Sequence, residues 1–291
     1  MAKTYNELYL DVRRALRSLG VEEAAQLEAR ELICCAAGKD REEFYRDLPL
    51  YTAGPVEEKV ESLLARRLRG EPTAYIIGEW DFCGLTIAVT PEVLIPRADT
   101  EVLAQEAMDY VEPLEDGARV LDLCTGSGCV GLAVATACPN VRATLADLSE
   151  DALRLCKTNV QRCGLTARVA CVVANALEPP HPSLRDFDLL VCNPPYISRR
   201  ELGELDPSVR DFEPRMALDG GEDGLDFYRA IARYWGAALR PGGRILLEVG
   251  YSQAGAVEIL LGMNGFKEVS ALRDTRGLLR VVSAAWPGTN S

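Results

Sequence analysis

The chain has 291 residues, of which 48% are hydrophobic and 26% are charged, as in a soluble globular protein. Its 44 acidic and 32 basic residues give a net charge of −12, which disfavours nucleic acid and favours a protein or small-molecule partner. No run reaches the roughly 20 apolar residues of a membrane span and the N-terminus lacks a signal-peptide pattern, so we expect a cytoplasmic protein without a membrane partner.

Residues 4 to about 70 are predicted to be helical. Apolar residues recur at helical spacing in two stripes, and Pro55 is placed to open a third helix. This pattern predicts a small helical domain over residues 1–72, which is either a scaffold or a partner-binding unit. Residues 73–90 contain two β-rich runs around a short polar turn, which predicts a β-hairpin that links this domain to residues 91–291.

The segment PRADTE at 96–101 is typical of a loop that enters a helix, with Asp99 or Thr100 as the N-cap. From residue 118 onward strands alternate with helices, which indicates an α/β fold with a mostly parallel, Rossmann-like sheet covered on both faces. The last two strands, FKEVSAL and LLRVVSAAW, are separated only by residues 274–277. They must be antiparallel, because a parallel crossover needs a dozen or more residues.

The ten cysteines do not suggest a metal site. None of them forms a CxxC pair, and the single histidine, His181, lies in a loop flanked by prolines. A zinc cluster therefore has poor support, as does catalysis by a Ser-His or Cys-His pair. We expect most cysteines to be small buried hydrophobes of a reducing cytoplasm, and we expect no bound metal.

The first strand of the sheet ends in a glycine-rich loop that leads into a helix. Glycines let the backbone turn tightly and let a ligand approach main-chain N–H groups at the helix N-terminus. Asp147 ends the second strand about 20 residues further on, a spacing at which a carboxylate accepts hydrogen bonds from ribose hydroxyls. The alternative for Asp147, an N-cap of the next helix, is less favoured because Ser149 suits that position better. The predicted loop residues of this nucleoside-cofactor site are Cys124, Thr125, Gly126, Ser127 and Gly128.

Two kinds of cofactor fit this loop. Gly126, Gly128 and Gly131 form the GxGxxG pattern of a dinucleotide site, so a Rossmann dehydrogenase is one alternative. Asp122, two residues before the loop, resembles the acid that faces the ammonium end of the cofactor in S-adenosylmethionine (SAM) methyltransferases. The closing antiparallel pair of strands also resembles the seven-stranded methyltransferase sheet. This resemblance favours SAM as the cofactor.

The fourth strand ends in Asn193-Pro194-Pro195-Tyr196, at the same predicted edge of the sheet as the glycine loop. The motif resembles the amino-methylating branch of SAM-dependent methyltransferases, which act on exocyclic or amide nitrogens. Such a nitrogen is a poor nucleophile, because its lone pair is delocalised. We expect the Asn193 side-chain oxygen and the Pro194 carbonyl to accept hydrogen bonds from its two N–H groups. The prolines would stiffen the loop, and Tyr196 would cover the planar group.

Further segments between about residue 70 and residue 282 resemble the peptide chain release factor glutamine methyltransferases. They read GEWDFCGL, VLIPRADTE, DLCTGSG, CNPPYI, FEPRMALDGGEDGLDFYR, LRPGGRILLEVG and RDTRGLLRVV. The resemblance implies N5-methylation of the glutamine in the Gly-Gly-Gln tripeptide of a class 1 release factor. It also implies SAM as the methyl donor, S-adenosylhomocysteine as the product, and a helical domain that helps to hold the release factor.

The resemblance also implies roles for individual residues, with two departures from the family pattern. The implied cofactor residues are Asp122, the loop 124–128, Asp147, Asn175, Ala176 and Asn193. Cys124 stands where relatives usually have Gly, although a small residue should be tolerated. Asn175 and Ala176 stand where an acid and an aromatic residue often contact adenine. We expect a looser adenine pocket, with Asn175 bonding the adenine amine and Leu177 as a substitute wall. Arg97 and Glu101 either close the site or form a surface ion pair.

Three other functions stay open at this point. A sister enzyme that methylates a ribosomal protein glutamine shares the Asn-Pro-Pro-Tyr motif. An adenine-N6 methyltransferase of DNA or RNA would use the same acceptors, with Tyr196 stacked on a flipped base. The acidic charge and the lack of an added basic domain weigh against it. A SAM-sensing interaction protein without methyl transfer is the non-enzyme alternative.

Overall fold

The computed structural model describes residues 3–20, 24–114, 117–274 and 276–288. The chain divides into two units, Met1–Glu79 with Asp206–Phe212, and Trp80–Leu205 with Glu213–Ser291. The division falls beyond the predicted boundary at residue 72, and residues 206–212 belong to the helical unit. The ring of Phe212 lies 3.4 Å from where a Cβ on Gly70 would stand, which accounts for this grouping.

The described residues form helices of very unequal length and nine strands. The helices are α1 (Tyr5–Arg17), α2 (Ala25–Ala37), α3 (Arg41–Arg46), α4 (Gly54–Leu68), α5 (Thr73–Ile77), α6 (Glu101–Val111), α7 (Cys129–Ala137), α8 (Glu150–Arg162), α9 (Arg199–Leu202), α10 (Pro207–Arg210), α11 (Asp226–Tyr234) and α12 (Ala254–Met263). The strands are β1 (Glu79–Phe82), β2 (Leu85–Ala88), β3 (Arg119–Leu123), β4 (Arg142–Asp147), β5 (Val169–Val173), β6 (Phe187–Cys192), β7 (Leu239–Glu248), β8 (Lys267–Arg273) and β9 (Leu279–Ala285).

The first unit is a group of helices around its own apolar core. The stripe predicted for the first helix is buried in α1 at Leu8, Val12 and Leu16. The six-residue helix α3 was not predicted. It is held by a capping box in which Asp40 and Glu43 each accept from the backbone of the other. A helix this short is too brief to show an apolar period, so the capping box was its only sequence signal.

The predicted hairpin over 73–90 is wrong in its first part. Residues Thr73–Ile77 form the short helix α5, which ends at Gly78 in the left-handed conformation. The β-rich composition of TAYII reflects burial, since Ile76 packs into the core of the first unit. The hairpin itself comprises β1 and β2, joined by a turn at Cys83 and Gly84, which both have positive φ angles.

The second unit contains a seven-stranded sheet in the order β5-β4-β3-β6-β7-β9-β8. Strands β3 to β7 are parallel, and β9 pairs antiparallel with both β7 and β8. The predicted α/β fold and its antiparallel closing pair are therefore confirmed. From β3 the chain moves outward to β5 and then returns to β6, so the loops after β3 and β6 diverge. Divergence at such a switch point opens a crevice at the carboxyl ends of the strands.

Helix α6 begins without the side-chain cap predicted at Asp99 or Thr100. A 3-10 turn, Ala98–Thr100, precedes it. The Asp99 carboxylate instead accepts hydrogen bonds from Arg276 Nη2 at 2.6 and 2.7 Å. The Thr100 hydroxyl accepts one from Asn193 Nδ2 at 3.2 Å. Tertiary contacts therefore use the groups that the sequence pattern assigned to capping.

The cap predicted at the start of α8 is present. Ser149 Oγ accepts a hydrogen bond from the Ala152 N–H at 3.2 Å. The short turn between β8 and β9 includes Thr275, which lies outside the described residues. None of the described helices is long and apolar enough to span a membrane.

Candidate active site

A cavity of about 310 Å³ lies at the carboxyl ends of β3 to β6. Predicted site residues that line it are Asp122, Cys124, Thr125, Gly126, Ser127, Asp147, Asn175, Ala176, Asn193 and Pro195. Gly128, Pro194 and Tyr196 support it without lining it. The wall also includes residues 92–97, Thr100 and a segment with Pro214, Met216 and Ala217, none of which was predicted to bind the cofactor.

The glycine loop joins β3 to α7 through backbone conformations that favour glycine. Gly126 has φ 54° and Gly128 has φ 86°. A Cβ on Gly128 would stand 2.8 Å from Cys156 Sγ, so a side chain there would have to displace the α8 residue below. Gly131, the third glycine of the apparent dinucleotide pattern, is required for a different reason. A Cβ on it would stand 2.2 Å from Leu145 Cδ2, which shows that this glycine serves the packing of α7 on the sheet.

Cys124 occupies a left-handed conformation, with φ 59°, at the start of the loop. Only glycine adopts this region without steric penalty, because a Cβ approaches the following carbonyl oxygen. The left-handed backbone at residue 124 therefore explains why the family pattern usually has Gly at this position. Its side chain packs against the core of the second unit and contacts Cys192, so a small residue is accommodated at a cost in backbone strain.

Asp122 is a buried acid that supports the loop. Its Oδ2 accepts hydrogen bonds from Thr125 Oγ1 at 2.6 Å and from the Gly131 N–H at 2.9 Å. Burial raises the pKa of Asp122 to about 7, against the opposing effect of these two hydrogen bonds. The carboxyl therefore fixes the loop to the start of α7 and also lines the cavity.

Asp147, at the end of β4, supports the same loop from the other side. Its Oδ2 accepts from the Gly126 N–H at 2.8 Å and its Oδ1 accepts from the Ser149 N–H at 2.9 Å. Burial raises the pKa of Asp147, and the backbone hydrogen bonds oppose that rise. A carboxylate has about four acceptor positions. Because Asp147 also lines the cavity, its carboxylate suits hydrogen bonds from ribose hydroxyls.

Asn159, on α8, is a loop-supporting residue that the sequence reading missed. Its side chain is fully buried and bonds three backbone groups. The Nδ2 donates to the carbonyls of Ala88 at 3.0 Å and Ser127 at 2.9 Å, and the Oδ1 accepts from the Ala88 N–H at 2.9 Å. In the sequence, the one sign of this role is that Asn159 is a polar residue at a position of the apolar stripe of its helix. This amide ties the end of the hairpin to the glycine loop.

Asn175 and Ala176, after β5, form one end of the cavity. Asn175 Oδ1 accepts from the Leu177 N–H at 3.0 Å, and its Nδ2 donates to Glu178 Oε1 at 3.0 Å. The amide is therefore used within its own turn. Ala176 is buried, and its carbonyl accepts from Trp235 Nε1 at 3.0 Å. Leu177 is half exposed and lines the cavity next to Ala176, which stands where the family pattern often has an aromatic residue.

The Asn193-Pro194-Pro195-Tyr196 turn follows β6, beside the loop after β3. Asn193 Oδ1 is buried and has no hydrogen-bond partner among the described residues. Tyr196 is largely buried, and burial raises the pKa of its phenol to about 12. The Tyr196 carbonyl accepts from Gln253 Nε2 at 2.9 Å, which fixes the end of the turn to the residue preceding α12.

Two glycines of the segment DGGEDG press against this turn. A Cβ on Gly220 would stand 2.7 Å from Tyr196 Cα, and a Cβ on Gly224 would stand 2.4 Å from the Tyr196 carbonyl oxygen. The segment also bonds the chain just beyond the turn, since Ile197 N donates to Leu218 O at 3.0 Å. These glycines are required for close backbone packing, and they hold the turn rigid.

An ion pair joins the two wall segments of the cavity. Arg97 Nη2 contacts Glu213 Oε1, and Glu213 Oε2 accepts from the Ile95 N–H at 3.2 Å. Burial raises the pKa of Glu213, which Arg97 opposes. The alternative of a pair between Arg97 and Glu101 is wrong, because the Glu101 carboxylate accepts from the Cys83 N–H at 3.0 Å. Within the described ranges, no cluster of His, Cys, Asp and Glu could hold a metal ion.

The sheet order, the antiparallel closing pair and the crevice between β3 and β6 define a methyltransferase. Residues 100–205 match the family model of the methyltransferase small domain, and residues 7–78 match that of the PrmC N-terminal domain. A methyltransferase of Pyrococcus furiosus aligns with 71% of this chain and 90% of its own, at 18% identity and a TM-score of 0.51. At that identity the similarity shows the fold alone.

Curated relatives identify the family. The release factor glutamine methyltransferase of Geobacter sulfurreducens is 42% identical over 275 residues, which cover 93% of this chain and 92% of that protein. The release factor glutamine methyltransferase of Bordetella pertussis is 42% identical over 263 residues, which cover 88% and 93%. The chain belongs to the release factor glutamine methyltransferase family. The resemblance found in the sequence is confirmed, and the dehydrogenase alternative is wrong.

Proposed function

We propose that this protein transfers a methyl group from SAM to N5 of the glutamine in the Gly-Gly-Gln motif of class 1 release factors. The observation that carries the proposal is the Oδ1 atom of Asn193, a residue of the cavity wall: this atom is buried and has no hydrogen-bond partner in the part of the chain that the structure describes. An unsatisfied buried acceptor costs about 1–3 kcal/mol, so a structure retains one where a ligand supplies the donor. The side-chain amide of glutamine carries such donors.

The residues around the cavity fit SAM. Asp147 has acceptor positions for the ribose hydroxyls, and the turn after β5 offers an apolar wall for adenine at Leu177. Asp122 places an acidic group near the glycine loop, which suits the ammonium group of the cofactor. The bound cofactor would supply an electrophilic methyl group on a sulfonium. The loop 124–128 would hold it by close backbone approach.

The Asn-Pro-Pro-Tyr turn would bind and orient the glutamine amide. Asn193 Oδ1 and the Pro194 carbonyl would accept hydrogen bonds from its two N–H groups. Hydrogen bonds from both N–H groups hold the plane of the glutamine amide in one orientation. The entropic cost of aligning the amide nitrogen is therefore met when the substrate binds. Packing of Gly220 and Gly224 against Tyr196 preorganises these acceptors, and the Tyr196 ring would cover the amide plane.

We also propose that the helical unit holds the release factor and that the protein acts in the cytoplasm. Tyr45, Leu50 and Tyr51 of this unit are large apolar side chains with at least half of their area exposed. Exposed residues of this kind are enriched at protein interfaces. The ten free cysteines suit a reducing compartment.

The test is methyl transfer from labelled SAM to a purified class 1 release factor. We expect label in the wild-type factor and none when the Gly-Gly-Gln glutamine is replaced by alanine. Ribosomal proteins and adenine-containing oligonucleotides serve as competing acceptors. Equal label in both release factors, or preferential label in a competing acceptor, would refute the proposed substrate.

A further inference from the structure

A buried polar cluster surrounds the amide of Asn193, and Asn193 and Thr100 of this cluster also line the cavity. Cys192 pairs with Leu247 across β6 and β7, so Asn193 and Glu248 follow at adjoining positions on the same edge of the sheet. Glu248 is 2% exposed and does not line the cavity. Thr100, which precedes α6, is also buried and stands between the two through its hydroxyl.

The cluster is connected by hydrogen bonds that run in one direction. Asn193 Nδ2 donates to Thr100 Oγ1 at 3.2 Å. The side chains of Thr100 and Asn193 both act on the Glu248 carboxyl as hydrogen-bonding groups that lower its pKa. Burial raises the pKa of Glu248 to about 7, whereas the hydrogen bonds and the charge of Arg280 lower it. Its Oε2 is buried with no hydrogen-bond partner among the described residues.

An acceptor oxygen of Glu248 can fix the orientation of the neighbouring side-chain amide of Asn193. A side-chain amide presents two donors on one side and an acceptor on the other, and a half-turn exchanges them. If the amide of Asn193 were reversed, its NH₂ group would face the NH₂ group of the substrate glutamine. Both groups are donors, so no hydrogen bond could form between them. The Glu248 oxygen that faces this amide acts as an acceptor, so it binds the Nδ2 side and leaves the Oδ1 side for the cavity.

We propose that Glu248 is a positioning residue, which acts with Thr100 to fix the amide of Asn193 so that Oδ1 faces the cavity. This inference deepens the proposed function and rests on it for the role of Asn193 as the acceptor for the substrate amide. Glu248 touches neither substrate nor cofactor. Its effect passes through Asn193, so it should control turnover rather than cofactor affinity.

The kinetic test compares Glu248→Met, Glu248→Gln and Tyr228→Phe in the full-length protein, with SAM and a class 1 release factor. Met removes the acceptor at similar length, whereas Gln retains one acceptor oxygen. Tyr228→Phe is the matched control, because it removes a 2.8 Å hydrogen bond to the Glu248 backbone carbonyl and leaves the carboxyl in place. We expect Glu248→Met to lower kcat about 10- to 100-fold, with the Kd for SAM changed less than about threefold.

We expect Glu248→Gln to restore most of the lost kcat and Tyr228→Phe to keep the wild-type value. Equal losses in Glu248→Met and Glu248→Gln, or in Tyr228→Phe, would contradict the positioning role. A parallel fall of kcat and SAM affinity would contradict it as well. Should Glu248→Met fail to fold, the pair Thr100→Val and Thr100→Ser tests the same contacts, since only Ser keeps the hydroxyl.

A spectroscopic measurement tests the inference without any methyl acceptor. In protein labelled with ¹⁵N-asparagine, the side-chain signal of Asn193 is identified by its loss in Asn193→Asp. We expect its NH₂ protons to exchange with water at least about 10-fold faster in Glu248→Met than in the wild type. An unchanged exchange rate would overturn the inference. Absence of methyl transfer by the wild type would instead refute the proposed function and leave this measurement valid.

Discussion

The two halves of the cavity differ in how far their polar groups are satisfied. Around the glycine loop, Asp122 and Asp147 each accept two hydrogen bonds, one of which comes from the loop, from Thr125 Oγ1 and from the Gly126 N–H respectively. At the Asn-Pro-Pro-Tyr turn, Asn193 Oδ1 accepts no hydrogen bond from any of the described residues. The carboxylates beside the glycine loop are hydrogen-bonded, whereas the turn contains a buried acceptor without a hydrogen-bond partner among the described residues. We expect this difference to separate a cofactor half from a substrate half of the cavity, and the expectation can be tested on each side.

The largest expected effect follows from removing the open acceptor. Asn193→Ala should lower kcat about 10²- to 10³-fold, because the substrate amide loses an oriented hydrogen bond that aligns it. The Kd for SAM, measured by calorimetry, should change only a few-fold. The matched variant is Asn175→Ala, which removes an amide whose polar atoms bond within their own turn.

Asn175→Ala should weaken SAM binding more than it lowers kcat. The Asn193 variant should thus change mainly kcat, and the Asn175 variant should change mainly the Kd for SAM. If both variants lowered the same constant by the same factor, the assignment of one half to the cofactor and the other to the substrate would be wrong.

A steric variant tests the rigidity of the substrate half. Gly220→Ala places a Cβ 2.7 Å from Tyr196 Cα, at a backbone conformation that alanine itself adopts without strain. We expect the turn to shift and kcat to fall about 10-fold, with overpacking lowering the free energy of unfolding by about 1–3 kcal/mol. Gly203→Ala is the control, because its nearest contact is the Arg200 carbonyl oxygen at 3.7 Å. Equal kcat values for the two variants would show that the turn does not depend on this packing.

One buried acid lies under each half, so pH should reveal both. Burial raises the pKa of Asp122 and of Glu248 to about 7. An unfolded carboxyl titrates near pH 4, so the folded protein binds these protons more tightly. Their stabilising contribution is full below about pH 4 and is lost as the pH rises through about 7.

We therefore expect the free energy of unfolding, measured with urea, to fall as the pH rises between about 4 and 7. Asp122→Asn and Glu248→Gln should each flatten this slope, because an amide does not titrate. Asp81→Asn, at an exposed position, is the control for a change in net charge. A slope that is equally steep in Asp122→Asn and in the wild type would mean that this carboxyl is not desolvated in the folded protein.

The sequence predicted the parts of the site that depend on local rules. The glycine loop, the acid at the end of β4 and the Asn-Pro-Pro-Tyr turn follow predicted strands, and parallel strands bring their carboxyl ends to one edge. Asn159, Thr100 and Glu248 could not be found this way. Each acts through partners that are distant in the chain, such as Ala88 for Asn159. Glu248 in particular ends an apolar strand as any solvent-facing acid might.

The same limit applies to the fold. The alternation of strands and helices fixed the sheet, whereas Thr73–Ile77 has β-rich composition and forms a helix because its side chains are buried against the first unit. The local pattern predicts Asp99 or Thr100 as a helix cap, yet Arg276, far along the chain, binds the Asp99 carboxylate. Local propensity fails where a distant residue offers a stronger partner.

The smallest expected effect concerns backbone strain in the cofactor half. Cys124 has φ 59°, where a Cβ costs roughly 1–2 kcal/mol. At an ordinary position, Gly is less stable than Ala by about 0.5–1 kcal/mol, because the unfolded chain gains freedom. At residue 124 the order should reverse, with Cys124→Gly more stable than Cys124→Ala by about 1 kcal/mol in urea unfolding. Cys163, which follows α8 with φ −79°, is the control, and there Ala should be the more stable. The same order at both cysteines would mean that the loop carries no strain at residue 124, and that the glycine usual in this family serves ligand approach rather than backbone geometry.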